Sequence, residues 1–99
     1  MDHITIQLTR KQAEGYVIDL GPVNLVNVVT DLGMVGCGAF DIAALNNFSY
    51  PAAKVRSAEG GSIATIEDLL QGIVKEVNPA AEKLGLKVGQ TGREALELL

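Results

Sequence analysis

The sequence predicts a single α+β domain: a mainly antiparallel sheet of four to five strands, with three or four helices packed chiefly on one side. Three observations support this prediction. Ninety-nine residues are enough for one small hydrophobic core. Short, β-branched runs recur in the N-terminal half, and apolar residues at helical spacing recur in the C-terminal half.

The N-terminal third of the chain has the pattern of strands joined by tight turns. Residues 2–9 alternate between apolar and polar side chains, as in a half-buried strand, and residues 16–20 give a second short strand. Residues 23–30 carry apolar side chains on both faces, which indicates a strand that is covered on both sides. Because Gly33 can adopt a positive φ, residues 23–30 and 34–38 are expected to form a hairpin.

A short helix follows this hairpin. Asp41 is a favourable N-cap residue, and Ile42, Leu45 and Phe48 form an apolar stripe over about two turns. Residues 49–51, which end in a proline, are expected to stop the helix.

A further strand is predicted over residues 52–58. Lys54 and Arg56 share one face of it, where they form either a basic patch or simply a solvated face. Residues 59–62, with two adjacent glycines, are expected to form a flexible connection.

The longest helical pattern begins at Thr65, which forms a variant capping box with Asp68. The apolar residues that follow keep helical spacing: Ile66, Leu69, Leu70, Ile73, Val74, Val77, Ala80, Ala81 and Leu84. Because Pro79 has no N–H group and obstructs the preceding turn, we expect a kink or a restart at residues 78–79. Gly85 is expected to end this segment.

The last helix is predicted by a complete capping box. Thr91 and Glu94 have the spacing of its two members, and Ala95, Leu96 and Leu99 give the helix its buried side.

The composition excludes several classes of partner. The chain carries 8 basic and 12 acidic residues, for a net charge of −4, so its attraction to a phosphate backbone is weak. It contains two Phe, two Tyr and no Trp, which are too few rings for base-stacking platforms. No apolar run approaches the roughly 18 residues that cross a bilayer. We therefore expect neither a nucleic-acid partner nor a membrane partner.

The expected location is cytoplasmic. The first residues lack the basic and then apolar pattern of a signal peptide. One cysteine cannot form an intramolecular disulfide, and an unpaired thiol is best kept in a reducing compartment.

Cys37 is the candidate catalytic residue, because it lies between Gly36 and Gly38 where a strand is expected to end and a helix to begin. Exposed N–H groups and the positive end of a helix dipole stabilise a thiolate at such a junction. The competing interpretation is structural. Cys37 alternates with Val35 and Ala39, so on a strand its side chain would share their apolar face.

The residues near Cys37 in sequence do not complete a catalytic or metal site. His3, the only histidine, lies at the N-terminus, where a solvated end residue is a simpler interpretation than a Cys–His pair. One Cys and one His supply at most half of a tetrahedral metal shell, so no metal site is expected. Neither a Walker loop nor the Gly-x-Gly-x-x-Gly pattern is present, and the sequence assigns no cofactor.

Gly36, Gly38 and Asp41 are candidate ligand-binding residues around Cys37. The two glycines would allow a ligand to approach the backbone closely, or they would only let a helix pack tightly on the sheet. Asp41 has the alternative role of an N-cap, which accounts fully for an Asp at this position.

Thr91, Gly92 and Arg93 are a second group of candidate ligand-binding residues. Arg93 would lie in the first turn of the last helix, where a positive charge opposes the helix dipole. An anion held by the N–H groups at the helix start and by the guanidinium would reverse this effect. The alternative is an ion pair with Glu97, one turn further on. If the last helix brings Arg93 to residues 36–38, the two groups form one site.

Three motifs carry a family resemblance: Gly33-x-x-x-Cys37-Gly38-x-x-Asp41, Thr65-Ile66-x-Asp68-Leu69-Leu70 and Gly89-Gln90-Thr91-Gly92-Arg93-Glu94-Ala95-Leu96. They resemble the YunC-like family known as domain of unknown function 1805 (DUF1805). In that family the last motif typically reads Gly-Met-Thr-Gly-Arg-Glu-Ala-Leu, so this chain departs only at Gln90. The connection from Phe48 to Ala52 is shorter than is usual in the family. The resemblance implies one small α+β domain over residues 1–99, in a bacterial or archaeal cytoplasm, and it implies no particular reaction.

These observations lead to one main functional hypothesis and two alternatives. The main hypothesis is a homo-oligomeric, non-catalytic module that binds a small molecule or anion. The alternatives are a thiol-dependent enzyme that uses Cys37 as its nucleophile, and a purely structural or assembly protein. The two apolar faces of residues 23–30, in a domain too small to cover both sheet faces, predict burial against a second copy. A symmetric dimer is the simplest closed assembly.

Overall fold

The computed structural model describes residues 2–99, and its strands form one six-stranded sheet in chain order. The strands are β1 (Asp2–Gln7), β2 (Gln12–Asp19), β3 (Asn24–Val29), β4 (Met34–Gly36), β5 (Ala52–Arg56) and β6 (Ile73–Val77). The helices are α1 (Ile42–Asn46), α2 (Ile66–Gln71), α3 (Pro79–Glu82) and α4 (Gly92–Glu97). None of the helices within residues 2–99 has the length and apolar character needed to cross a bilayer.

The sheet is mixed, although most of its strand pairs are antiparallel. Only β4 and β5 run parallel, because the connection between them passes through α1 and returns to the same end of the sheet. The prediction of an α+β domain with a mainly antiparallel sheet is confirmed. The predicted number of strands, four to five, was too low.

The additional strand is β6, which replaces the middle of the predicted long helix. α2 ends at Gln71, and Gly72 has the extended backbone of a strand (φ −68°, ψ 170°). Residues 73–77 then pair antiparallel with β5, which buries Val74 completely. The helical spacing was misleading because Ile73, Val74 and Val77 are β-branched and fit a pleated surface equally well. A helix does begin at Pro79, with Asn78 as the N-cap of α3, but it follows a strand and is not the restart of a helix as expected.

The helices pack on both faces of the sheet, whereas the sequence predicted packing chiefly on one. α2 and α4 contribute Leu69 and Leu96 to the larger core, which covers the face that contains Val35. α1 contributes Ile42 to a smaller core on the opposite face, where it meets Met34. Because Met34 and Val35 are consecutive on β4, their side chains point to opposite faces.

The predicted hairpin of β3 and β4 is confirmed, but the reason for a glycine at position 33 differs from the one expected. Its φ is not positive. Instead, a Cβ on Gly33 would lie 2.2 Å from the backbone oxygen of Pro51, which accepts a hydrogen bond from Met34 N. Glycine is therefore required because two backbone segments approach closely.

α1 is shorter than its apolar stripe suggested. Asp41 caps it as predicted, since its Oδ1 accepts a hydrogen bond from Ala44 N at 3.0 Å. The helix ends at Asn46, and Ser49 takes the left-handed conformation (φ 56°) in the turn that follows. Phe48 lies beyond the helix with 80% of its surface exposed, so it is not part of the predicted buried stripe.

Candidate functional site

Cys37 lies directly after β4, in the wall of the larger core. Its N–H donates to the oxygen of Val26 at 3.0 Å, and only 7% of the residue is exposed. This burial agrees with the interpretation of Cys37 as a small core residue. Ala39 is exposed, because β4 has already ended at Gly36 and the alternation does not continue.

Cys37 also lines a groove of about 450 Å³, a volume within the range of small-molecule sites. We call it the Cys37 groove. Besides the 37–39 turn, its walls are residues 23–24 before and at the start of β3, residues 55–57 at the end of β5, residues 60–63, and Lys75 on β6. The groove therefore gathers segments that are far apart in sequence at one end of three strands.

The two glycines beside Cys37 have different surroundings. A Cβ on Gly36 would lie 2.4 Å from Cδ2 of Phe40, so this glycine makes room for a neighbouring ring of the protein itself. Gly38 has no atom within 4 Å of a Cβ position and lines the groove. Of the two, only Gly38 is open to a ligand. Asp41 is not among the groove-lining residues, and its carboxylate is engaged as the cap of α1.

The capping residues of α4 are arranged as the sequence predicts. Thr91 Oγ1 accepts from Glu94 N at 3.1 Å, and Glu94 Oε1 accepts from Thr91 N at 2.8 Å. Gly92 is buried, and a Cβ there would lie 2.1 Å from the backbone oxygen of Leu69. Its N–H donates to Gly72 O at 2.9 Å. The start of α4 is thus packed against the end of α2.

Arg93 is held by protein groups on the surface. Its Nη2 lies 3.5 Å from Glu97 Oε2, one helical turn away, and donates to the oxygen of Gln7 at 3.3 Å. The pKa of Glu97 is lowered, first because the N–H of Thr9 donates to its carboxylate, with smaller contributions that include the charge of Arg93. The ion pair that the sequence allowed as an alternative is present.

Arg93 and Cys37 do not form one site. Arg93 contacts Gln7, which pairs with Gln12 on β2. Gln12 lies two residues before Glu14, the residue of β2 that pairs with Val29. The N–H of Cys37 instead donates a hydrogen bond to Val26 O. Along the strand direction, Val26 lies about five residues from the level of Gln12, which corresponds to roughly 17 Å. Arg93 is also absent from the residues that line the Cys37 groove.

The structure does not bring His3 to Cys37. His3 stacks on Tyr16, with ring centroids 4.8 Å apart, and its Nε2 lies 2.9 Å from Glu14 Oε2. His3 is on β1, three strands away from β4. The groove lining within residues 2–99 contains no Asp, Glu or His, and no cluster of three or more His, Cys, Asp or Glu residues in this range is suited to holding a metal.

The sequence indicated no ligand-binding role for Arg56 or Lys75, although both line the groove. Arg56 could be assigned only to a basic patch or a solvated strand face, and Lys75 was placed in a helix. The signal that could have found Lys75 is Gly72 followed by a short, β-branched run, which is typical of a strand. Residues 60–62, expected to be only a flexible connection, form one wall of the groove.

Comparisons with known proteins agree with this fold. A family model described as a domain of unknown function (DUF1805) matches residues 36–99. The chain is 40% identical over 79 residues to the uncharacterized protein YunC of Bacillus subtilis (strain 168), a match that covers 80% of this chain and 77% of YunC. The crystal structure of TA1206, a protein of unknown function from Thermoplasma acidophilum, matches 97% of this chain and 89% of that chain, with a TM-score of 0.85 and 23% identity. The last similarity concerns the fold, whereas the family match and the identity to YunC show that the chain belongs to the DUF1805 family.

Proposed function

We propose that the protein is a small-molecule-binding module whose site is the Cys37 groove. The observation that supports this proposal is the convergence of four separate segments and Lys75 around one concave volume of about 450 Å³. The unpaired thiol of Cys37 supports a cytoplasmic location, because such a thiol persists in a reducing compartment.

Cys37 itself reports on occupancy of the groove. Cys37 is largely buried but is one of the residues that line the groove, so we expect an alkylating reagent to reach its thiol through the same space that a ligand would fill. We expect at least one compound in a panel of neutral, cationic and anionic metabolites to slow alkylation of Cys37 and to raise the melting temperature. Mass spectrometry and thermal shift measure the two effects.

A blocking variant provides the control for this experiment. Gly38→Trp adds a large ring at a groove position where a Cβ meets no protein atom within 4 Å, so it should fill the groove, leave the fold intact and abolish protection. Val88→Trp adds the same ring at an exposed position outside the groove and should bind normally. The proposal fails if no compound protects Cys37, or if Gly38→Trp binds as well as the natural protein.

We also propose that the protein forms a homodimer through an apolar surface around Phe48. Phe48 projects into solvent, and Leu32, Pro51 and Leu84 line a groove of about 440 Å³ next to its neighbour Ser49. A protruding ring and a recess on one surface suit a two-fold contact, in which each copy supplies both. The face of β1 and β2 that α2 leaves open carries His3, Thr5, Glu14 and Tyr16 with a single exposed aliphatic side chain, Ile18, so the more apolar Phe48 surface is the better supported contact.

Light scattering after size exclusion tests the dimer. We expect the natural protein at micromolar concentration to have twice the mass of one chain. Phe48→Asp should convert it to monomer, because a desolvated carboxylate would oppose the contact. Leu20→Asp, at another exposed apolar position, should remain dimeric. A natural protein that is only monomeric contradicts the proposal.

A further inference from the structure

The charges around the Cys37 groove narrow the class of its ligand. We infer that the groove takes a small molecule bearing a phosphomonoester, with the phosphate held between Arg56 and Lys75. This inference rests on the proposed function, since it concerns the same groove.

Among residues 2–99, Arg56 and Lys75 are the only charged residues that line the groove, and the net charge of the chain is −4. Three other basic residues have carboxylate partners, in the pairs Lys11–Asp31, Lys54–Glu76 and Arg93–Glu97. Within the described part of the chain, neither Arg56 nor Lys75 forms an ion pair with a carboxylate. Two uncompensated cations beside one cavity attract an anion, and a phosphomonoester carries nearly two negative charges at neutral pH.

A β-bulge delivers Lys75 to this position. Glu76 pairs with Lys54, but the next pair along the strands is Val74 with Val55. Lys75 is therefore an additional residue on β6 with no partner on β5. Bulges of this kind redirect a side chain and are frequent beside functional sites. A regular strand would have placed this residue in the ladder.

The backbone around the groove supplies further donors. Within residues 2–99, the N–H groups of Gly38, Ala39, Gly61 and Ser62 donate no hydrogen bond to the protein. Gly38 and Gly61 also have no atom near a Cβ position, so an anion can approach their backbone. Free N–H groups on glycine-rich turns, together with an Arg and a Lys, are the groups that hold phosphate in proteins.

The experiment is a titration of the ¹⁵N-labelled full chain with inorganic phosphate, and in parallel with acetate, at neutral pH and constant ionic strength. We expect phosphate to shift the N–H signals of Gly38, Gly61 and Ser62 in a saturable way, and acetate to act more weakly. Arg56→Ala and Lys75→Ala should each weaken phosphate binding at least about tenfold, the usual loss for one charge-assisted contact. Lys87→Ala, an exposed lysine outside the groove, should leave the affinity unchanged.

Three results would overturn the inference: no saturable shift, an equal response to acetate, or shifts centred on Gly92 and Arg93. Equal affinity in the Arg56 and Lys75 variants would do the same. If a neutral compound protects Cys37 while phosphate gives no shift, the phosphate assignment fails and the groove remains a binding site. If no compound protects Cys37 and phosphate gives no shift, both proposals fail.

Discussion

Replacing Asn78 with alanine should lower the free energy of unfolding by about 4 kcal/mol, since it leaves several buried polar groups without partners. Asn78 is 2% exposed. Its Nδ2 donates to the oxygens of Ile42 and Tyr50, at 3.0 and 2.8 Å. Its Oδ1 accepts from the N–H groups of Ala52 and Ala81, at 3.1 and 2.9 Å. One side chain thus joins α1, β5 and the start of α3, and urea unfolding measures its contribution.

Two further variants separate these roles of Asn78. Asn78→Ser retains an oxygen that can cap α3, so it should recover about 1 kcal/mol of the loss. Asn47→Ala removes an exposed amide that makes no side-chain hydrogen bond within residues 2–99, and its effect should stay within about 0.5 kcal/mol. A stability of Asn78→Ala within 1 kcal/mol of the natural protein would contradict this account, with ~1 kcal/mol being the size of one ordinary hydrogen bond.

Replacing Gly92 with alanine should cost about 3 kcal/mol, at the upper end of the range for overpacked sites. The added Cβ would lie 2.1 Å from Leu69 O and 3.0 Å from Leu69 C. These are backbone atoms, so no side-chain rotation relieves the clash, and α4 must move away from α2. The midpoint of urea unfolding should fall accordingly.

Gly38→Ala is the matched control for Gly92→Ala. Gly38 has open space around a Cβ position and no positive φ, so the same substitution should change the stability by no more than about 0.5 kcal/mol. Equal losses at the two positions would show that the close contact with Leu69 does not account for the requirement at Gly92.

Three glycines, Gly36, Gly38 and Gly92, belong to the ligand-binding residues predicted from the sequence, and they differ because of packing that the sequence does not display. Gly36 and Gly92 face Phe40 and Leu69, respectively. Gly38 faces the groove. A glycine in a sequence indicates that a side chain is excluded, but only the tertiary structure identifies the neighbour that excludes it.

The features that the sequence predicted correctly depend on local interactions. The capping boxes Thr65–Asp68 and Thr91–Glu94 are both formed, because their partners are three residues apart and need no other element. The ion pair of Arg93 with Glu97, which the sequence left open as an alternative to ligand binding, is local in the same sense. The α+β class follows from periodicities that extend over only a few residues each.

The main error in the predicted fold has a tertiary cause. Residues 73–77 fit a helical stripe and a strand, and the hydrogen bonds that β5 offers decide between them. Residues 73–77, which form β6, include Lys75, so the same error concealed one of the two cations at the Cys37 groove.

The sequence alone therefore determined the α+β class, the helix caps, the β3–β4 hairpin and the family, because each is carried by neighbouring residues or by a contiguous motif. The tertiary structure decided which candidate residues lie together. It separated Arg93 from Cys37, since α4 carries Arg93 to the far end of β1. It placed Arg56 and Lys75 beside Cys37, since β5 ends at the groove and the bulge in β6 lies next to that end. Such distances depend on strand order and register, which arise from long-range pairing rather than from local spacing.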